Sequence, residues 1–325
     1  MLHLARFSCF AVLVFATAIR AQSVISAHSG TIHYVEGKVL LNNQEISPKF
    51  GEFPAMENGA VLRTTDQGRV EVLLTPGVIL RIGEGSSIRM MANTLADTRV
   101  ELQAGKAVLE CAEILKGDAI TLVVAGKSVS FAKNGVYEAT AEPAVVQVYK
   151  GEAAVVVEGK PLMVKRGHEV LLGSAVTAEK FSDSATDDLY NWSSRRSGYL
   201  ALANVAAANA VNSGYGGYGY GFMGGGWAWN PGFGMFTMLP SSGMMWSPFG
   251  YGFYSPYSLY DSYYPYYYGS SNGSSNSGMP SGSSAYNGRP ISQTGTSSAR
   301  SVSTGHMGEG GRAGSVSSGG AGRGH

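Results

Sequence analysis

Residues 64–88 read TTDQGRVEVLLTPGVILRIGEGSSI, and this stretch decides the fold. In Arg69–Thr75 apolar side chains fall on alternate positions. Val70, Val72 and Leu74 point one way, Arg69 and Glu71 the other, a period of two that predicts a strand with one buried and one water-facing side. Pro76-Gly77 then suits a tight turn, with proline fixing one backbone angle and glycine tolerating the next. Val78–Ile82 predicts the returning strand, Gly83-Glu84-Gly85 a second turn, and Ser86–Met91 a third strand.

The same grammar extends in both directions. Strands are predicted at Thr31–Val35, Lys38–Leu41, Ala60–Thr64, Thr98–Gln103, Lys106–Cys111, Ala119–Val124, Lys127–Ala132, Gly135–Thr140, Ala144–Tyr149 and Glu152–Val157, within a β-patterned region that reaches Leu172. Thr98–Gln103 repeats the first arrangement, with Val100 and Leu102 inside against Arg99 and Glu101. Turn residues such as Glu36-Gly37, Ala104-Gly105, Ala125-Gly126, Asn134-Gly135 and Lys150-Gly151 recur at roughly 8–12-residue spacing, which is an all-β signature. About 140 residues of this kind bury a sufficient core without disulfides or metal. Gly126-Lys127-Ser128 lacks the first glycine of a phosphate loop, since Thr121 stands there, and reads as a hairpin turn.

Residues 64–88, together with Gly105-Lys106-Ala107-Val108 and Val146-Gln147-Val148-Tyr149-Lys150-Gly151-Glu152-Ala153, resemble the FecR-like domain family. Thr75-Pro76-Gly77 stands where that family more often has an acidic turn residue. The resemblance covers about residues 30–175 and implies a β-solenoid-like or helical jelly-roll domain outside the cytoplasm. Its best-understood members restrain a sigma factor through a cytoplasmic N-terminal segment. Only six residues precede the apolar run here, so that regulatory role is not carried over.

That apolar run is Phe7–Ile19, preceded by Arg6 and followed by Ala21, a small residue before a cleavage point. It predicts an export signal over residues 1–21 and a periplasmic or extracellular protein. Thirteen apolar residues fall short of the ~20 that span hydrocarbon, and no later stretch is a spanning candidate. The chain of 325 residues carries 24 basic and 23 acidic side chains. Losing Arg6 and Arg20 with the signal leaves a net charge of −1, which excludes a polyanion-neutralising protein, so no nucleic-acid partner is expected. After cleavage Cys111 is the one cysteine, on the strand face of Ala107 and Leu109, and reads as a buried thiol without redox or metal work.

Charge then disappears from the sequence. Beyond position 200 only Asp261, Arg289, Arg300, Glu309, Arg312 and Arg323 are charged, and most of the 45 glycines lie there. The expected organisation is a β domain over 22–177, a helical segment over 178–212, an aromatic Gly/Tyr/Trp/Pro-rich segment over 213–268 and a disordered Ser/Gly-rich tail over 269–325. In the helical segment Ser184 or Thr186 is the expected cap, and Leu189, Trp192, Arg196, Tyr199 and Ala203 form one stripe that covers an open sheet edge or docks a partner. In the aromatic segment Pro231, Pro240, Pro248, Pro256 and Pro265 recur every 8–9 residues, suggesting proline-set turns in an extended chain.

No catalytic, cofactor or metal constellation is found. His33 and His168 read as surface residues, Asp187 and Asp188 as helix-start acids, and Gly219, Gly221 and Gly224 as compositional. The candidate contact residues are the tryptophans Trp192, Trp227, Trp229 and Trp246, whose rings suit an envelope protein or a cell-surface polysaccharide. A non-enzymatic exported binding or scaffold protein is the expectation. An envelope sensor related to FecR regulators and a polysaccharide-associated protein are the alternatives.

Overall fold

The computed structural model describes residues 28–47, 50–157, 159–173, 175–212 and 225–263. The chain divides into Met1–Tyr268 and Gly269–His325, and all described residues belong to the first unit. The expected signal and Ser/Gly-rich tail lie outside them.

The chain winds between two sheets. Strand β1 (Thr31–Glu36) starts an eight-stranded sheet. The chain crosses to a nine-stranded sheet for β2 (Val39–Leu41), β3 (Gln44–Glu45) and β4 (Val61–Thr64), then returns for β5 (Arg69–Leu73) and β6 (Val78–Ile82). It crosses again for β7 (Ser87–Thr94) and β8 (Asp97–Ala104), comes back for β9 (Lys106–Cys111), and leaves for β10 (Ala119–Val124) and β11 (Lys127–Phe131). Then β12 (Gly135–Thr140) and β13 (Val145–Lys150) join the first sheet, β14 (Glu152–Val157) and β15 (Lys160–Lys165) the second, and β16 (His168–Leu172) and β17 (Val176–Lys180) the first. Neighbouring strands are antiparallel except β8 and β10, which run parallel because β9 lies between them in the other sheet. The architecture is an all-β, wound sandwich with no closed barrel.

Alternation places the core between the sheets. Val70 and Val72 of β5, Leu80 and Ile82 of β6 and Leu109 and Cys111 of β9 form one cluster with Ile88, Met90, Val100, Leu102, Leu122 and Val124 of the facing sheet. Each fully buried aliphatic side chain contributes about 1.5–3 kcal/mol. Burial also pushes the Cys111 thiol far above its ordinary range, consistent with an inert core residue. The turn between β5 and β6 closes through Val78 N–H donating to the Thr75 carbonyl. Gly77 has φ +86°, and a Cβ there would sit 2.9 Å from the Glu113 side chain.

Three strands beyond Val157 complete the sheets. The last, β17, runs through the boundary expected at residue 177. Helix α1 (Asp188–Asn212) follows, then the hairpins β18 (Gly226–Asn230) with β19 (Met235–Leu239) and β20 (Met244–Trp246) with β21 (Gly252–Tyr254), and helix α2 (Pro256–Tyr263). The cap of α1 is Asp187, not Ser184 or Thr186: its Oδ1 accepts the Tyr190 N–H at 2.9 Å, satisfying an otherwise orphan helix donor. Leu189, Trp192, Arg196 and Ala203 are buried as expected, whereas Tyr199 points outward and Leu200 takes its place. The prolines do set boundaries: Pro231 and Pro240 follow β18 and β19, Pro248 follows β20, and Pro256 opens α2, where its missing N–H costs nothing.

Candidate functional site

Helix α1 lies across the outer face of the eight-stranded sheet instead of along an edge, and this overturns the expectation of a water-facing side at β5. Glu71, Arg81 and Glu110, on adjacent strands β5, β6 and β9, are 0–1 % exposed. Register sets Glu71 opposite Arg81 and Ile79 opposite Glu110, so the guanidinium stands between two carboxylates. Arg81 Nε donates to Glu71 Oε2 and Nη1 to Glu110 Oε2, both at 2.7 Å. The overlying layer supplies the rest: Arg196 Nη2 donates to Glu71 Oε1 at 2.9 Å, Ser197 Oγ to Glu110 Oε1 at 2.8 Å, and Ser247 Oγ to that same oxygen.

A further ionisable member comes from an irregularity in β1. The ladder with β5 slips between Ile32 and Tyr34, leaving His33 at a bulge. Bulges re-aim side chains, and here His33 and Tyr34 both meet the covering layer. His33 Nδ1 lies 2.8 Å from Glu71 Oε1, and Nε2 accepts the Phe236 N–H at 2.8 Å. The Arg196 guanidinium stacks 3.8 Å from the Tyr34 ring centre. His33 is therefore interior, contrary to the surface position expected for it.

Burial pushes the Glu71 carboxyl upward, but Arg196, Arg81 and the His33 hydrogen bond outweigh it and hold the group well below the usual carboxylate range. For Arg81 burial works against the charged form, and Glu110 and Glu71 more than restore it. A carboxylate so held is a poor proton acceptor, and three of its roughly four lone-pair sites are already taken. Chemically this is a fastening, not a reaction centre.

A second polar group sits at the start of α1. Burial, then the neighbouring Asp187 carboxylate, pushes Glu138 up to about 7, opposed by Lys106. Lys106 Nζ donates to Asp187 at 2.7 Å and to Glu138 at 3.5 Å. Beyond these pairs, backbone-like bonds stitch the layer down. Asn204 Nδ2 donates to the Met238 and Tyr254 carbonyls, Asn230 Nδ2 to the Ala203 carbonyl, and Thr237 Oγ1 to the Leu200 carbonyl.

The four candidate tryptophans land in different environments. Trp192 is buried and its Nε1 donates to Glu36 at 3.0 Å. Trp227 is buried among Leu73, Ile79, Leu200 and Met238. Trp229 is half-buried and meets Phe50, Phe53 and Phe236 edge-on, with ring centres 5.4–5.7 Å away. Trp246 alone of the four is exposed, at 58 %. Sequence reasoning missed the ionic cluster, although Glu71, Arg81 and Glu110 all occupy the non-core parity of strands it had placed. It also missed a groove of about 460 Å³ on the outer side of α1, where Arg195, Tyr199, Leu202 and Val205 face Tyr251. Among the described residues no cluster of three metal-ligating side chains occurs, and no helix is long and apolar enough to cross a membrane.

No family model matches the chain, and no curated protein matches it. Solved structures similar to it include two crystal structures of a "putative anti-sigma factor" from Parabacteroides distasonis ATCC 8503. Each is 14% identical with a TM-score of 0.34, over 38% of this chain and 61% of that one. The chain thus spans about three fifths of that protein's length.

Proposed function

We propose that this is an exported, non-enzymatic FecR-type β protein that acts as an envelope or cell-surface binding and scaffold module, with its C-terminal aromatic layer as the contact element. The observation that carries the proposal is the character of that layer's surface. From Ser197 to Tyr260 the sequence has no Asp, Glu, Lys or Arg, yet Tyr199, Leu202, Met244, Trp246 and Tyr257 are each 44–66 % exposed. Exposed apolar side chains along a stretch without charges, with Arg195 beside Tyr199 and Leu202 in the groove, mark a place where another surface is received. The ionisable groups that would serve a reaction are meanwhile buried in mutual pairs under this layer.

The test uses the processed chain and a Leu202→Glu, Trp246→Ala variant, both on the surface. Wild-type protein immobilised against envelope extracts and exopolysaccharide should retain an envelope protein or the glycan, and the variant should retain at least about tenfold less. Equal retention by the two dismisses the aromatic layer as the contact element. Fractionation that places the intact chain in the cytoplasm dismisses the export.

A further inference from the structure

Helix α1 has a covered side and an uncovered one. Trp192, Leu200 and Ala203 are buried on the inner side, against the sheet and the hairpins. On the outer side Arg195, Tyr199, Leu202, Ala206 and Asn209 recur at steps of four, three, four and three residues. All but the half-buried Ala206 are exposed, Tyr199 at 54 % and Leu202 at 58 %. Such steps average about 3.5 residues, the repeat that keeps one seam of a helix turned toward another helix. An outer face meant for water carries charged side chains, but from Ser197 to Asn212 α1 has none. A helix without a charged side belongs in an interior, and here one side still lacks its cover.

The groove beside this stripe has the form that a facing helix fills. Its α1 wall includes Gly198, Ala201, Leu202 and Val205, at positions i, i+3, i+4 and i+7. Four residues so spaced make the hole into which one side chain of a packed helix inserts. Arg195, Gly198, Tyr199 and Leu202 make an overlapping hole. Gly198 keeps both holes deep, and Tyr251 walls the far side, where a Cβ at Gly198 would sit 3.1 Å from its ring. Projecting side chains and holes thus lie on one helix. The surface is complementary to itself, as a contact about a two-fold axis requires.

We propose that the outer face of α1 is a homodimer interface, in which α1 packs antiparallel against α1 of a second copy. Charge sets the direction. No Asp or Glu lies between residues 189 and 260, so in a parallel pair the two Arg195 guanidiniums would face each other with no carboxylate of the layer to offset them. In the antiparallel pair Tyr199 shares a layer with Leu202 of the second copy, and Arg195 lies over the small side chain of its Ala206. The two arginines are then about 16 Å apart along the helices, beyond the ~8 Å over which physiological salt screens them. The proposal rests on the reading of the exposed apolar side chains as a contact surface. It gives the α1 part of that surface a second copy as partner and leaves Met244, Trp246 and Tyr257 to the envelope.

Sedimentation equilibrium of the full chain from about 1 to about 100 µM tests this. The mass should rise from one chain to two, and Leu202→Glu, a change at an exposed position, should weaken association at least about tenfold. Charge complementation separates a lost interface from a lost fold. Leu202→Glu and Leu202→Lys chains, each monomeric alone, should pair when mixed, because the two positions lie about 5 Å apart along the helices. Arg195→Ala should change the dissociation constant by less than about threefold, whereas a tightening of about tenfold would mean that the arginines face each other and would overturn the antiparallel pair. A wild type that stays a single chain at every concentration, a dimer indifferent to Leu202→Glu, or a mixture that does not pair overturns the interface. Trp246→Ala should leave the dimer intact and lower only the retention of an envelope partner. A monomeric wild type that still retains that partner therefore strikes the dimer alone, and a dimer that retains nothing strikes the envelope reading alone.

Discussion

The outer faces of the two sheets carry similar alternating patterns and meet opposite fates. On the nine-stranded sheet Arg89 of β7 stands opposite Glu101 of β8, with Arg63, Arg89 and Arg99 in water. On the eight-stranded sheet Glu71 stands opposite Arg81 and both are dry. Opposite charges set across strands in water, as on the first face, are screened and worth a few tenths of a kcal/mol. On the second the same chemistry is desolvated, so removing one partner strands the others. What differs is not the strands but the layer laid over one of them by residues 188–212 and 225–263.

The largest expected break in this contrast is Arg81→Ala, which leaves Glu71 and Glu110 buried without their shared cation and should cost about 3–5 kcal/mol in chemical denaturation. A cost below about 1 kcal/mol would mean that the two faces are energetically alike. Next, Trp192→Ala removes a buried ring and its bond to Glu36, and about 3 kcal/mol should be lost at the sheet–helix contact. Detachment of α1 would show as new exchange at β6 and β9 amides. Glu138→Gln sharpens the contrast through pH. Its carboxyl is raised in the folded chain to about 7 from 4.5, so the folded state holds the proton more tightly, and stability falls as pH rises across that window. Wild type should lose on the order of 1–3 kcal/mol there relative to the glutamine variant, and parallel curves for the two would refute the shift. Smallest is Arg89→Ala on the open face, expected within about 0.5 kcal/mol of wild type.

The sandwich itself was readable because alternation and glycine turns are local signals. Val78–Ile82, Lys106–Cys111, Ala119–Val124, Gly135–Thr140 and Glu152–Val157 have the bounds that the pattern predicts. The second buried face was not readable. Glu71 meets His33, Arg81 and Arg196 at separations of 38, 10 and 125 residues, and nothing in RVEVL distinguishes a glutamate destined for water from one destined for a guanidinium. Thr98–Gln103 has the same alternation and a wet outcome for Arg99. The aromatic segment was obscured differently: its glycines and prolines read as low complexity, yet Pro231, Pro240, Pro248 and Pro256 mark the ends of short hairpin strands and the start of a helix. Tyr199 shows the limit of a helical stripe drawn by spacing alone, since one residue along, at Leu200, the side chain turns from solvent to core.

Arg196 has a corollary for the molecule's electrophoretic character. It is the sole charged side chain that the covering layer contributes to the Glu71 and Glu110 pair among the described residues. A chain cut short before α1 would therefore bare two carboxylates against the single guanidinium of Arg81, and a face that is now oily and neutral would become hydrated and acidic. Such a fragment should bind anion-exchange resin more tightly than the parent, and its sheet would attract cationic surfaces that the intact protein ignores.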